Sequence, residues 1–262
     1  MSEVLPAPAP LGPDAPMVVV VPTYDEADNL EWIVGRLLAA QPTAHVLVVD
    51  DGSPDGTGDI ADRLAAQDER VRVVHRTEKA GLGAAYLHGF AVALERGYHV
   101  VGEMDADGSH QPEQLHRLRA ALETADLVIG SRWVRGGSVV NWSLFRKALS
   151  VGGNLYARTL LGVPVRDVTA GFRLFRASTL RAIDLTTVES VGYCFQTDLT
   201  VRTLEAGLTV REVPIEFLER ERGESKMNPD IATESLRRIT AWGVERRRAQ
   251  VRRGMARVRS RA

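Results

Sequence analysis

The chain has 262 residues, 44% hydrophobic and 26% charged, enough for one large domain with a full core and no covalent staples. Its single cysteine, Cys194, excludes an internal disulfide and a cysteine-rich metal site, points to an intracellular protein, and suits a small buried apolar role. A net charge of −1 hides an uneven distribution, because Arg237, Arg238, Arg246, Arg247, Arg248, Arg252, Arg253, Arg257, Arg259 and Arg261 share the end of the chain with one acid, Glu245.

Residues 1–16, rich in Pro and Ala and carrying Glu3 and Asp14, lack the positive start and apolar stretch of a secretion signal, so a disordered arm is expected. The apolar run 17–21 predicts a first strand, ending in Pro22-Thr23-Tyr24-Asp25-Glu26. Leu30, Ile33, Val34, Leu37 and Leu38 then recur at helical spacing, with Asp28 or Asn29 placed to cap the helix. A second strand, 45–49, runs into Asp50-Asp51-Gly52-Ser53, and a turn through Gly56 leads to a helix bearing Ile60, Ala61 and Leu64. A strand over 71–74, a helix over 82–95 and a strand over 98–104 follow, the last ending at Asp105-Ala106-Asp107. Pro112 suits the first turn of a helix carrying Leu115, Leu118 and Leu122, and 126–130 reads as a fifth strand.

This alternation predicts an α/β fold, a Rossmann-like and mostly parallel sheet flanked by helices over 17–230. Such sheets bind ligands outside the carboxyl ends of their strands, where the acidic pairs fall. Nicotinamide chemistry is disfavoured, since Pro22-Thr23-Tyr24 stands where a dinucleotide fingerprint needs glycines and Gly81-Leu82-Gly83 lacks the third one; a phosphate-binding P-loop and a zinc helix are also absent. In the basic tail, 231–262, Ile231, Leu236, Ile239, Trp242 and Val244 lie among the arginines, which predicts an amphipathic helix for an anionic membrane surface. No apolar run reaches the length of a spanning helix, and the longest candidate, 149–165, is interrupted by Gly152, Gly153, Arg158 and Pro164.

Pro22-Thr23-Tyr24-Asp25-Glu26, Val48-Val49-Asp50-Asp51-Gly52-Ser53-Pro54-Asp55-Gly56-Thr57, Gly81-Leu82-Gly83-Ala84-Ala85, Met104-Asp105-Ala106-Asp107, Gly130-Ser131-Arg132 and Gly171-Phe172-Arg173 stand in the order seen in inverting family 2 glycosyltransferases. Across 17–230 the chain resembles, more narrowly, the polyprenol (dolichol) monophosphate mannose synthases. The resemblance implies a GT-A fold, transfer of mannose from GDP-mannose to a polyprenyl phosphate, and a Mg²⁺ or Mn²⁺ ion. It implies nucleotide-sugar contacts from Pro22, Tyr24, Glu26, Asp51, Lys79, Gly81 and Ala106, with Asp105 and Asp107 holding the metal and Ser109 a weak further ligand. One of Asp50 and Asp51 is expected to shape the turn instead. Arg132, Arg146, Ser150, Arg220 and Lys226 are implied at the acceptor phosphate, Arg132 also in catalysis, and Gln196 with Asp198 near the transferred sugar. Asp167, Thr169 and Arg173 are expected to brace this region, Tyr193 and Phe195 to pack in the core as readily as to touch ligand, and His110 to face solvent.

The implied place is cytoplasmic and peripheral on the inner membrane face, with an integral membrane protein as an alternative dock for the tail. Glucose transfer from a UDP-sugar is the rival within the family. A sugar-nucleotide pyrophosphorylase lacks its glycine-rich first loop here, and a basic-tailed nucleic-acid binder leaves the ordered acidic motifs unexplained, so no nucleic-acid partner is expected.

Overall fold

Val18, Val19, Val20 and Val21 are wholly buried because their strand, β1 (Met17–Thr23), lies inside a seven-stranded sheet covered on both faces. The computed structural model describes residues 11–12, 15–77, 80–188, 193–220 and 236–244. Lys79, Lys226, residues 1–10 and 13–14 of the 1–16 arm and most of the 231–262 tail lie outside them.

The other strands of this sheet are β2 (Ala44–Asp50), β3 (Val71–His75), β4 (Val100–Glu103), β5 (Leu127–Ser131), β7 (Arg173–Arg176) and β8 (Val210–Pro214), in the order β3-β2-β1-β4-β7-β5-β8. Two short strands, β6 (Ser138–Val139) and β9 (Glu216–Phe217), pair beside it. Because successive side chains of a strand point to opposite faces, Val18 and Val20 enter one core and Val19 and Val21 the other. The first core packs helices α3 (Leu82–Glu95), α5 (Leu144–Leu161), α6 (Ala177–Ala182) and α7 (Tyr193–Glu205); the second packs α1 (Ala27–Ala40), α2 (Thr57–Gln67) and α4 (Leu115–Ala121). Each fully buried Leu, Ile or Phe contributes about 1.5–3 kcal/mol relative to exposure.

The five expected strands and the helices between them are present, and Leu115, Leu118 and Leu122 are wholly buried as their spacing requires. The first helix is capped differently from expectation. Asp28 lies within α1, and the amide of Ala27 instead donates to Asp55 Oδ2 at 3.0 Å, so the loop after β2 closes the helix that follows β1.

The sheet also holds a strand the sequence did not announce. β7 is antiparallel between β4 and β5, with Arg173 opposite both Glu103 and Ile129. Its first residue therefore sits at the carboxyl ends of its neighbours, and the 167–172 segment before it is delivered to that edge. α5 runs unbroken through Gly152 and Gly153 and stops at Gly162, which adopts φ 66°. Among the described residues no helix is long and apolar enough to cross a membrane.

Candidate active site

β1 has β2 and β3 on one side and β4 on the other, so the order of the sheet reverses between β1 and β4. A crevice opens outside the carboxyl ends of strands at such a point. On its β1–β2 side Glu26 is buried, with Asn29 Nδ2 donating to its Oε2 at 2.8 Å. Asp50 makes the turn, accepting from the Ser53 amide at 3.1 Å and the Thr23 hydroxyl at 3.0 Å, while Asp51 pairs with Arg76 at 2.8 Å. The two neighbouring acids thus divide as expected. Pro22 and Tyr24 are half-buried on the same rim, and Gly81 enters α3 at φ 91°, a conformation that disfavours any side chain.

Next to this rim lies the acid pair. Asp105 Oδ1 accepts from the Tyr86 hydroxyl at 3.1 Å, and Asp107 Oδ1 accepts from the Ser109 amide at 3.0 Å. Burial, and then the charge of Asp107, push the Asp105 carboxyl well above the ordinary range. Burial also acts to raise Asp107, but Ser109 and the Arg220 charge outweigh it and leave that carboxyl lowered. Two crowded carboxylates, one resisting ionisation, fit a hard divalent cation. Among the described residues no group of three or more His, Cys, Asp and Glu is placed to hold a metal ion, so a cation here would take most of its ligands from beyond these side chains.

His110 departs from the sequence expectation. It is 2% exposed, stacked on Phe172 at 5.2 Å and edge-on to Phe217 at 5.3 Å, and its Nδ1 accepts from the Asp105 amide at 3.2 Å. Burial lowers its pKa to about 4, so at neutral pH it is an uncharged acceptor that shapes the acid loop. Since the folded pKa lies below the unfolded one, its contribution is complete above pH ~6.5 and is lost as pH falls towards 4, up to about 3 kcal/mol. His110→Asn offers an acceptor in the Nδ1 position without titrating. Chemical denaturation should show the stability of wild type relative to this variant falling between pH 7 and 4; parallel curves would rule the account out.

The described arginines expected at an acceptor phosphate are already paired. Arg132 donates through Nε and Nη2 to the buried Asp167 at 2.8 and 2.7 Å, and through Nη2 to Thr169 at 3.0 Å. Asn154 Nδ2, from α5, reaches the same Thr169 hydroxyl at 3.2 Å. Arg146 pairs with Glu219 at 2.8 Å, and Ser150 sits one turn further along α5, half-buried. Arg173 is wholly enclosed, donating to the carbonyls of Ala170, Gln196 and Val168, so the bracing role expected of Asp167, Thr169 and Arg173 is met.

Arg220 stands elsewhere than a simple phosphate ligand would. Its Nε and Nη2 donate to Asp107 Oδ2 at 3.0 and 2.8 Å, and Nη2 lies 3.7 Å from Glu26 Oε1. The chain after β9 is tied to the acid loop, the Leu218 amide donating to the Ser109 carbonyl at 3.1 Å, and this brings the guanidinium to the nearest carboxylates.

Gln196 and Asp198 do not act as a pair. Residues two apart on a helix point to different faces, and Asp198 is bound to Arg202 at 2.7 Å. Gln196 instead lines the space before Gly171: a Cβ built there would be 3.7 Å from Gln196 Nε2, 3.7 Å from Asp105 Oδ2 and 3.6 Å from His110 Cε1. Its buried amide faces Glu103, which lies beneath, 3.9 Å from Arg173 Nε, with its pKa pushed up to about 8 by burial. Phe195 is core, stacked on Tyr86 at 6.0 Å, and the Tyr193 side chain falls outside the described residues. Tyr86 was not legible as a site residue; its only signal was a place one turn into the helix after Gly81-Leu82-Gly83.

α5 buries Asn154, Ala157 and Leu161 and turns Leu144, Phe145, Leu149, Val151, Leu155 and Tyr156 to solvent, Leu144 at 83% and Phe145 at 79% exposure. A contiguous exposed apolar face of this kind marks an interaction surface. In the tail, residues 236–244 form α8, but Ile239 and Trp242 pack into the core and Thr240 meets the Tyr156 hydroxyl at 2.7 Å. The face expected to enter a membrane is thus partly turned inward, and α5 presents the larger one.

Comparison with known proteins gives the family and the fold. Residues 18–184 match the model of glycosyl transferase family 2. The chain is 57% identical over 231 residues to an undecaprenyl-phosphate mannosyltransferase of Micrococcus luteus, covering 88% of this chain and 95% of that one. It is 54% identical over 242 residues to a polyprenol monophosphomannose synthase of Mycolicibacterium smegmatis, covering 92% and 91%. Among solved structures, glucosyl-3-phosphoglycerate synthase from Mycobacterium tuberculosis in complex with Mn²⁺ and UDP-glucose has the same fold, with a TM-score of 0.64 at 21% identity over 88% of this chain and 79% of that one. With residues 18–184 matched by the family model and most of its length by these relatives, the chain belongs to glycosyltransferase family 2.

Proposed function

We propose that this protein transfers mannose from GDP-mannose to a polyprenyl monophosphate with inversion at the sugar carbon, releasing GDP. The observation that carries the reading is a juxtaposition. Phe217 meets the Arg132 guanidinium on one side and His110 of the acid loop on the other, and the helix that supplies Arg146 carries the exposed apolar face. Phosphate recognition beside an apolar surface suits a lipid phosphate, and the names of the two bacterial relatives support that acceptor.

A phosphate monoester has its second pKa near ~6 and is mostly a dianion at neutral pH. It needs no strong base to attack. One of its oxygens forms the new bond to the sugar carbon as the bond to the GDP oxygen breaks on the opposite face. In this reading Glu26 and Asp51 serve the nucleoside, Gln196 a sugar hydroxyl, and Arg132, Arg146 and Ser150 the incoming phosphate, to which the sequence motif adds Lys226. Mg²⁺ or Mn²⁺ held by Asp105 and Asp107 would neutralise charge on the departing diphosphate. The site's own work is positioning and charge stabilisation. We place the enzyme at the inner face of the membrane, held by α5 and by the basic tail, since anionic headgroups attract arginines by roughly ~1 kcal/mol each.

The test is incubation of the whole protein with polyprenyl phosphate in anionic vesicles, a divalent cation, and labelled GDP-mannose or UDP-glucose. Lipid-extractable label should come from GDP-mannose and require the lipid phosphate. Label from UDP-glucose alone would move the reading to glucose transfer, and retention on DNA with no transfer from either donor would overturn it.

A further inference from the structure

Trp142 immediately precedes the Ser143 cap of α5 and is 8% exposed, at a point where three segments distant in sequence meet. The Arg146 guanidinium carbon lies 4.1 Å from the centre of its ring, and that of Arg132, from the end of β5, lies 5.6 Å away. Phe217 of β9 closes the box edge-on to Trp142 at 5.4 Å, with the Arg132 guanidinium 5.3 Å from its own ring centre. The backbone enforces this meeting, since β6 pairs with β9 and the Val140 amide donates to the Phe217 carbonyl at 2.8 Å. On its far side Phe217 touches His110, whose ring accepts from the Asp105 amide.

Two guanidinium groups carry like charge and repel each other, so holding both near one anion needs something between them. Asp167 and Glu219 neutralise the arginines one by one but lie on separate segments. An aromatic face attracts cations, Trp most strongly, and can hold two arginines in a fixed relation. We propose that Trp142 is a positioning residue for the acceptor, its indole setting Arg132 and Arg146 against one another so that both address the same phosphate monoester. The inference rests on the acceptor-phosphate reading above and adds to it the element that makes two separate arginines into one receptor.

The experiment uses the full chain and two variants, Trp142→Leu, which removes the aromatic face, and Trp142→Phe, which keeps a weaker one. Farnesyl phosphate serves as a soluble acceptor probe, read by direct equilibrium binding and by steady-state transfer from GDP-mannose. A lost cation–π contact at a part-exposed arginine corresponds to roughly threefold to fivefold in affinity. Trp142→Leu should therefore raise the Kd and KM for farnesyl phosphate about fivefold while GDP affinity stays within twofold, and Trp142→Phe should recover most of the loss. Equal damage by both variants, unchanged acceptor binding, or a parallel fall in GDP affinity would overturn the proposal. Wild-type protein that binds farnesyl phosphate but transfers no sugar would defeat the functional reading alone, because the binding comparison still decides the role of Trp142.

Discussion

Asp105→Asn should reduce sugar transfer on the order of 10³-fold or more while leaving the cation-free protein as stable as wild type or more so. The two effects have one cause. Burial and the Asp107 charge raise the Asp105 carboxyl above its unfolded value, so this group costs stability above pH ~4, increasingly as pH rises towards neutrality. Removing its charge removes that cost, and the stability difference between variant and wild type should grow from pH 4 to pH 8. Added Mg²⁺ or Mn²⁺ should then raise the melting temperature of wild type but not of the variant. Asp107→Asn should also abolish transfer, yet it should cost about 1–2 kcal/mol of stability, because its carboxylate accepts both Arg220 hydrogen bonds. Thermal unfolding with and without cation, beside a transfer assay, separates the cases. If Asp105→Asn is destabilised and still transfers, the pair is not a cation site.

Asp167→Ala should be among the most destabilising single changes in the chain. Asp167 is fully buried, and it accepts from the Arg132 amide at 2.9 Å as well as from two guanidinium nitrogens. Its loss leaves a buried positive charge without its main partner, a defect worth about 3–5 kcal/mol, or roughly 10 °C in melting temperature for a domain of this size. The double variant Asp167→Ala/Arg132→Met should recover part of the loss, because the uncompensated charge goes with the arginine. Differential scanning calorimetry on the two single variants and the double variant closes the cycle. A double variant as unstable as the sum of the single ones would show that Asp167 acts by packing rather than by pairing.

Much of this protein was legible in its sequence because the signals are local. The valines of β1 and the apolar runs of β2 and β5 are strands wherever they are placed, and acids just past β2 and β4 fall at the carboxyl edge as soon as the sheet is parallel. The division of labour between Asp50 and Asp51 was also local, a matter of which carboxylate turns back to Ser53.

What escaped the sequence depends on partners far along the chain. Arg173-Leu174-Phe175-Arg176 does not read as a central strand, since charged residues are costly to bury. It becomes one because Arg176 donates to the carbonyls of Leu122 and Ala125 and Arg173 to those of Val168, Ala170 and Gln196. His110 looked like a loop residue open to water until Phe172 and Phe217 closed over it. Tyr86 and Trp142 carry no motif of their own, and only packing brings one to Asp105 and the other between Arg132 and Arg146. By itself, then, the sequence determined the α/β alternation and the fall of the acidic pairs at the ends of β2 and β4, because both follow from short-range periodicity and residue chemistry. The antiparallel strand, the neutral histidine and the pairing of each arginine were decided by the tertiary structure alone, because burial assigns a charge its partner only when distant segments meet.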